Sequence, residues 1–315
     1  VNPAPEAVPF LVFGGTGAQG GAVIDALLSR GLSPKAYVRD VHSRAARALA
    51  GRGVSLVRGA MDDRDALLRA MEGIEGVFSM QPPPAAPADP DLEMRYGRAM
   101  VAAALQAGVS NFVHTSVARA DEHENFAGWS AKRWWPLYWE SKAAVNNAVR
   151  DAGFRRHMIL KPAWMMDNLL PPRADWMVPG LKLRGALESA LDPATCLDVI
   201  AAADIGEFGA AALLEPDRFN AAEIPLASQA LTTGEIARSI TDATGRRVVA
   251  CHVSPQDAAV LGHHAGLTES QQWCNVEGYR VDHVQAASWG IALTGFARWA
   301  QKHANRFVIG PPEAG

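Results

Sequence analysis

Apolar runs and polar breaks alternate regularly through the first half of the 315-residue chain. Residues 8–13, VPFLVF, form a short apolar run that ends in glycines. Residues 22–30, AVIDALLSR, follow with apolar positions at helical spacing and Gly31 just past the end. KAYV (35–38), VSLV (54–57), GVFSM (76–80) and NFVHTS (111–116) predict further strands, and RRHMILKPA (155–163) predicts a sixth. Between them SRAARALA (43–50), DRDALLRAM (63–71) and LEMRYGRAMVAAALQAG (92–108) read as helices. Strands interleaved with helices imply a parallel sheet covered on both faces.

After about residue 165 the rhythm changes, with Pro171, Pro172, Pro179 and Gly180 punctuating a less regular stretch. LDVIAAADIGEFGAAALLEP (197–216) predicts a short strand and then a helix. TTGEIARSITDATG (232–245) predicts a helix capped by Thr232 or Thr233 and stopped by Gly245. HVQAASWGIALTGFARWAQKHA (283–304) is expected to be helical. The expected organisation is a first domain over 1–165, with a returning segment near 196–215. A smaller α+β domain over 166–315 would then act as a cap and form a cleft with the first.

Composition narrows the function classes. Apolar residues make up 49% and charged residues 20%, the balance of a globular protein, and the net charge of −3 argues against broad attraction to nucleic acid or an anionic membrane. No apolar run is long enough to span a bilayer. The opening VNPAPEAVPF lacks the basic and long apolar parts of a signal peptide, so the cytoplasm is the expected location. Cys196, Cys251 and Cys274 lack metal or redox spacing, and adjacent His263 and His264 would not share a face, so no metal site is expected.

Residues 11–21, LVFGGTGAQGG, place Gly14, Gly17 and Gly20 between the first strand and the first helix. Such glycines allow a tight turn and close approach of backbone to a pyrophosphate, and the helix start offers free N–H groups. Dinucleotide binding is the expected role. At the end of the second strand stand Arg39 and Asp40. A guanidinium suits the 2′-phosphate of NADP and a carboxylate suits the ribose hydroxyls of NAD, so NADP is favoured without excluding NAD. By the same topology Met61 and Asp62 would border the adenine, and Met80, Gln81 and Pro82 the ribose and nicotinamide.

PLYWESKAAV (136–145) sets Tyr138 and Lys142 four residues apart. On one helix Tyr138, Lys142, Val145, Val149 and Ala152 share a face, with Glu140, Asn147 and Asp151 opposite. The apolar stripe is the buried one, so Lys142 needs either a partner or a function. The phenol would give a proton to a carbonyl oxygen, Lys142 would orient the cofactor and tune the phenol, and Ser116 would anchor substrate. Whether Ser116 or the adjacent Thr115 faces the site stays open. Six of the nine tryptophans fall between Trp129 and Trp176. Trp139, Trp164 and Trp176 are candidates for an apolar substrate pocket, with packing or a partner patch as the plainer reading. Residues 121–135, DEHENFAGWSAKRWW, are expected to form a loop over the cleft.

VFGGTGAQGG, YVRD, YWESKAAV, LKPAWMMDNLL and AADIGEFGAAAL, taken together and in order, resemble the NmrA-like proteins, atypical members of the short-chain dehydrogenase/reductase superfamily. The resemblance implies a Rossmann domain that binds NADP(H). It implies cofactor contacts from Gly14, Gly15, Thr16, Gly17, Ala18 and Gln19, then Arg39, Met80 to Pro82, Lys142, and the turn at Pro162 and Ala163. Arg95 stands where the family often carries a basic residue, and Lys161 where it usually has arginine. Some members reduce quinones or related compounds, and others bind NADP and regulate a partner protein. The Ser116, Tyr138 and Lys142 set points to an NADPH-dependent reductase of an apolar or aromatic carbonyl or quinone. The alternative is a redox sensor with a protein partner, and a homodimer is also compatible with the aromatic segments.

Overall fold

The computed structural model describes residues 6–83 and 88–311. Residues 1–5, part of the opening weighed against a signal peptide, lie outside the described residues. The first half runs β1 (Glu6–Phe13), α1 (Ala18–Ser29), β2 (Leu32–Val38), α2 (Arg44–Ala50), β3 (Ser55–Arg58), α3 (Arg64–Met71), β4 (Gly76–Ser79), α4 (Leu92–Gln106), β5 (Asn111–Thr115), α5 (Pro136–Asp151) and β6 (Arg156–Pro162). Next come β7 (Trp164–Met165), α6 (Ala174–Met177), α7 (Pro179–Arg184), β8 (Ala186–Ser189), β9 (Leu197–Ile200), α8 (Ala202–Leu214) and β10 (Ala222–Leu226). The chain ends through β11 (Gln229–Leu231), α9 (Thr233–Thr244), β12 (Val249–His252), α10 (Pro255–Val260), α11 (Ala265–Val276), α12 (His283–Ser288) and α13 (Phe296–Lys302).

Two compact units result. The first takes the chain up to His123, then Leu137–Pro162 and Ala202–Ile224. The second takes Glu124–Pro136, Ala163–Ala201 and the chain from Pro225 onward. In the first unit seven strands are ordered β10-β6-β5-β4-β1-β2-β3, and the pairings among β1 to β6 are parallel. Alternate strand residues feed opposite faces. Leu11, Phe13 and Val77 pack with Leu67 and Met71 of α3, Met100 and Ala104 of α4, and Val149 of α5. On the other face Phe78 of β4 and Val23 of α1 both close on Gly209 of α8. This is the doubly wound α/β architecture that the alternating pattern predicts. The strand order reverses beside β1, so the carboxyl ends of β1 and β4 flank the switch point.

The second unit holds a three-stranded sheet, β11-β9-β7, and a parallel pair, β12 with β8. Helix α9 begins with a capping box between Thr232 and Glu235 and ends at Gly245 in the left-handed conformation, as its sequence predicts. The expected C-terminal helix is instead two short ones, broken over 289–295 with Gly290 at positive φ. Residues 120–125 form a 3₁₀ turn. The stretch after it is anchored inside the second unit: the indole of buried Trp134 donates to the Ala127 carbonyl, Ala127 N–H donates to Glu277 at 2.8 Å, and Trp135 N–H donates to Glu269. Among the described residues no helix is long and apolar enough to cross a membrane.

Candidate functional site

The glycine turn sits where the sequence places it. Gly14 has φ +67°, a conformation that favours glycine, and a side chain there would collide with Met80. Gly20 lies so close to the backbone of Phe13 and Gly14 that it leaves no room for a Cβ. Gly17 N–H donates to Gly14 O, and α1 starts at Ala18 without a side-chain cap. The Gln19 amide oxygen accepts from the Thr115 hydroxyl at 2.7 Å and so ties the turn to the end of β5. Thr16 is exposed.

At the end of β2, Arg39 and Asp40 are both exposed but differ in what they do. Asp40 Oδ1 accepts the His42 N–H at 2.8 Å, which commits one carboxylate oxygen to the local turn. Arg39 has no ion pair or hydrogen bond among the described residues. Met61 is half-buried against the sheet core and Asp62 is exposed. Gln81 is buried, with its amide N donating to Ser79 Oγ at 2.8 Å, and Pro82 is half-buried. Arg95 lies on the exposed side of α4, where it grips Asp89 through both terminal nitrogens. Pro162 and Ala163 are buried, and Pro162 O accepts Ala118 N–H at 3.1 Å.

Helix α5 presents its residues as its period predicts: Val145 and Val149 are buried, while Glu140, Asn147 and Asp151 are exposed. Lys142 points inward with only 12% of its side chain exposed, and its Nζ lies 5.6 Å from the centre of the Tyr138 ring. Trp139 is buried and meets that ring edge-on at 5.3 Å. Thr115 and Ser116 divide the open question between them. Thr115 bonds the glycine turn, whereas the Ser116 hydroxyl is buried without a hydrogen-bond partner among the described residues.

The structure adds a residue the sequence analysis did not single out. Glu93 of α4 is buried and meets Lys142 Nζ through Oε1 at 2.5 Å, while Oε2 has no partner among the described residues. Burial pushes the Glu93 carboxyl above the ordinary glutamate range, against the pull of Lys142. Burial opposes the Lys142 ammonium, yet Glu93 and the nearby Tyr138 lift its pKa above the ordinary lysine value. A signal was present in the sequence. Glu93 precedes Gly97, Met100, Val101 and Ala104 on the apolar stripe of α4, where an acid needs a partner just as Lys142 does. His114 of β5 is also buried, and among the described residues neither ring nitrogen makes a hydrogen bond of normal geometry. Burial, with Lys142 adding, holds its pKa down at about 3, so the imidazole is neutral.

Lys161 belongs to a separate ionic cluster. Its Nζ meets Asp121 at 2.6 Å and Glu223 at 2.5 Å, and Arg150 bridges the same two carboxylates. In the second unit, Trp164 lines a small cavity of about 50 Å³ with Leu169, Met177, Leu187, Ile236 and Cys274. Trp176 is 56% exposed. Among the described residues no group of three or more His, Cys, Asp or Glu is placed to hold a metal.

The model of the NmrA-like family matches residues 9–293. The chain is 29% identical over 263 residues to an NAD(P)H azoreductase from Xenophilus azovorans, covering 82% of each protein. Among solved structures it is similar to the NADPH-dependent quinone oxidoreductase QOR2 from Escherichia coli, with TM-score 0.72, 22% identity and coverage of 93% of this chain and 98% of that one. It is also similar to NmrA, a negative transcriptional regulator in complex with NADP, with TM-score 0.71, 17% identity and 95% of each chain covered.

Proposed function

The chain belongs to the NmrA-like family, and from that premise we propose that it is an NADPH-dependent reductase of an apolar or aromatic small molecule of the carbonyl or quinone type. The observation that carries the reading is the inward Lys142 ammonium beside the Tyr138 ring, on one face of α5. A relative and a structural neighbour named for reductive chemistry, an azoreductase and a quinone oxidoreductase, support it.

The residues fit a dinucleotide. The Gly14 turn and the uncapped start of α1 suit the pyrophosphate, and Met80 and Gln81 stand at the neighbouring strand end. Arg39 is unpaired among the described residues while Asp40 is partly committed, which favours a 2′-phosphate and hence NADP. When bound, the reduced nicotinamide supplies a hydride. Tyr138 gives its hydroxyl proton to the substrate oxygen, and the free Ser116 hydroxyl donates a hydrogen bond to that same oxygen. Lys142, paired with Glu93, stands beside the phenol.

Replacing Tyr138 by Phe tests the reading. NADPH affinity is expected to hold, while turnover of a quinone or azo dye falls by about 10²-fold or more. Wild-type turnover in Tyr138→Phe would remove the proton-donor role. A second reading, an NADP(H)-binding regulator without turnover, draws on the same ion pair, because Glu93 gives Lys142 a structural reason to be buried. It requires a protein partner whose binding differs between NADPH and NADP⁺ and is indifferent to Tyr138→Phe.

A further inference from the structure

We propose that Glu93 is a positioning residue for Tyr138: a built-in counter-charge that cancels the Lys142 ammonium at the phenol and keeps the proton on the tyrosine. This rests on the reading of Tyr138 as proton donor. The geometry begins with helix packing. A methyl group on Gly97 of α4 would strike Val145 of α5, so the two helices touch closely there. One turn towards the N-terminus of each helix stand Glu93 and Lys142, and the close approach lets the carboxylate reach the ammonium at 2.5 Å. Among the described residues Glu93 is the one carboxylate that pairs with Lys142. His114 of β5 is neutral. Asp121, in the 3₁₀ turn before α5, is taken up by Arg150 and Lys161, and Arg95 on the outer side of α4 is taken up by Asp89.

The consequence for chemistry follows from charge. A bare ammonium 5.6 Å from the ring favours phenolate, and phenolate has no proton to give. With Glu93 in contact, the pair is net neutral whether the shared proton rests on the amine or on the carboxyl. The phenol then keeps its proton at neutral pH, which suits a site that protonates its substrate during reduction. In the proton step the Tyr138 O–H bond breaks and a new O–H bond forms on the reduced substrate. The tyrosinate left behind is reprotonated from solvent. Glu93 itself touches neither substrate nor proton path.

The test reads tyrosine ionisation directly and needs no substrate. The chain has four tyrosines, and subtracting the tyrosinate ultraviolet titration of Tyr138→Phe isolates Tyr138. Tyr37 is pushed up to about 12, chiefly by burial, and stays out of the way. In Glu93→Gln the Tyr138 midpoint is expected to fall by about one pH unit. In Glu93→Gln with Lys142→Gln it is expected to return to the parent value, because the uncompensated charge is gone. A folded Glu93→Gln with an unmoved midpoint overturns the proposal, as does a double variant that keeps the shifted value. Should Glu93→Gln not fold, Glu93→Asp retains the charge at greater distance, and a smaller fall in the same direction is expected; no fall overturns the proposal. The reductase reading fails separately, in a parent protein that binds NADPH but oxidises it with none of the quinones or azo dyes tried.

Discussion

Two buried glutamates, one in each unit, are treated in opposite ways. Glu188 of β8 is 6% exposed and accepts two hydrogen bonds from Arg184, at 2.6 and 2.7 Å, and one from His263 Nε2 at 3.2 Å. Arg184, followed by His263, holds its carboxyl below the ordinary range despite burial. Glu93 of α4 is 1% exposed, has a single ionic partner and keeps one oxygen unpaired, and burial holds its carboxyl above that range. Burial alone therefore does not set the state of an acid; the number of donors that reach it does. Glu188 joins the end of α7, β8 and the segment before α11, which is structural work. Glu93 joins one side chain beside a phenol, and its unpaired oxygen costs stability that the surrounding packing must offset, a feature expected near a reactive group.

The sharpest way to break this contrast is Glu188→Gln. It leaves Arg184 and buried His263 without their carboxylate, and a loss of about 3 kcal/mol is expected in chemical denaturation. The Tyr138 midpoint should not move. A midpoint that shifts as it does in Glu93→Gln would show that the two acids are not different in kind.

Gly97→Ala comes next in size. The added methyl would lie 2.4 Å from a Val145 methyl, so α4 and α5 must move apart, and a loss of about 1–3 kcal/mol is expected. The same separation loosens Glu93 from Lys142, so the Tyr138 midpoint should drift down with stability. A loss of stability alone would uncouple the helix contact from the ion pair.

How far the sequence carried these conclusions differs between the units for a physical reason. In the first unit all six predicted strands form, because each apolar run is flanked by a helix with its own period and the glycine turn allows little else. The strand β10 carries no comparable signal, since AEIPL is short and contains Pro225. In the second unit α9 was legible through its cap and stop, but α12 and α13 merged into one expected helix across Gly290. At the site, the inward direction of Lys142 followed from the stripe on α5. Its partner did not, because Glu93 lies 49 positions earlier in sequence on another helix, and only tertiary packing brings the two stripes together. The choice between Thr115 and Ser116 was likewise beyond a sequence reading, since it depends on the hydrogen bond to Gln19.

The contrast between filled and unfilled charges extends to the guanidiniums. Arg184 spends itself on Glu188, whereas Arg39 is exposed and has no partner among the described residues. If Arg39 waits for a 2′-phosphate, Arg39→Gln should weaken NADPH binding by about tenfold and leave NADH binding unchanged, as read by quenching of tryptophan fluorescence. Equal losses for both cofactors would place Arg39 outside the recognition of that phosphate.

The smallest expected effect is one of sign. Glu188 has a depressed folded-state pKa, so its stabilisation is present above the ordinary glutamate value near ~4.3 and is lost as pH falls through the lower folded value. Glu93 has a raised folded-state pKa, so the folded protein binds its proton more readily than the unfolded chain does. Its contribution declines as pH rises from that ordinary value through the higher folded one. Substitution by Gln removes each dependence. Measured as Tm against pH, the gap between the parent and Glu188→Gln should narrow on acidification below ~4.3, because the parent loses what the variant never had. The gap between the parent and Glu93→Gln should widen as pH falls towards ~4.3, because only the parent gains there. Gaps that move in the same direction would mean that Glu93 is as well satisfied in solution as Glu188, and its lone contact with Lys142 would then be too weak a basis for a role at Tyr138.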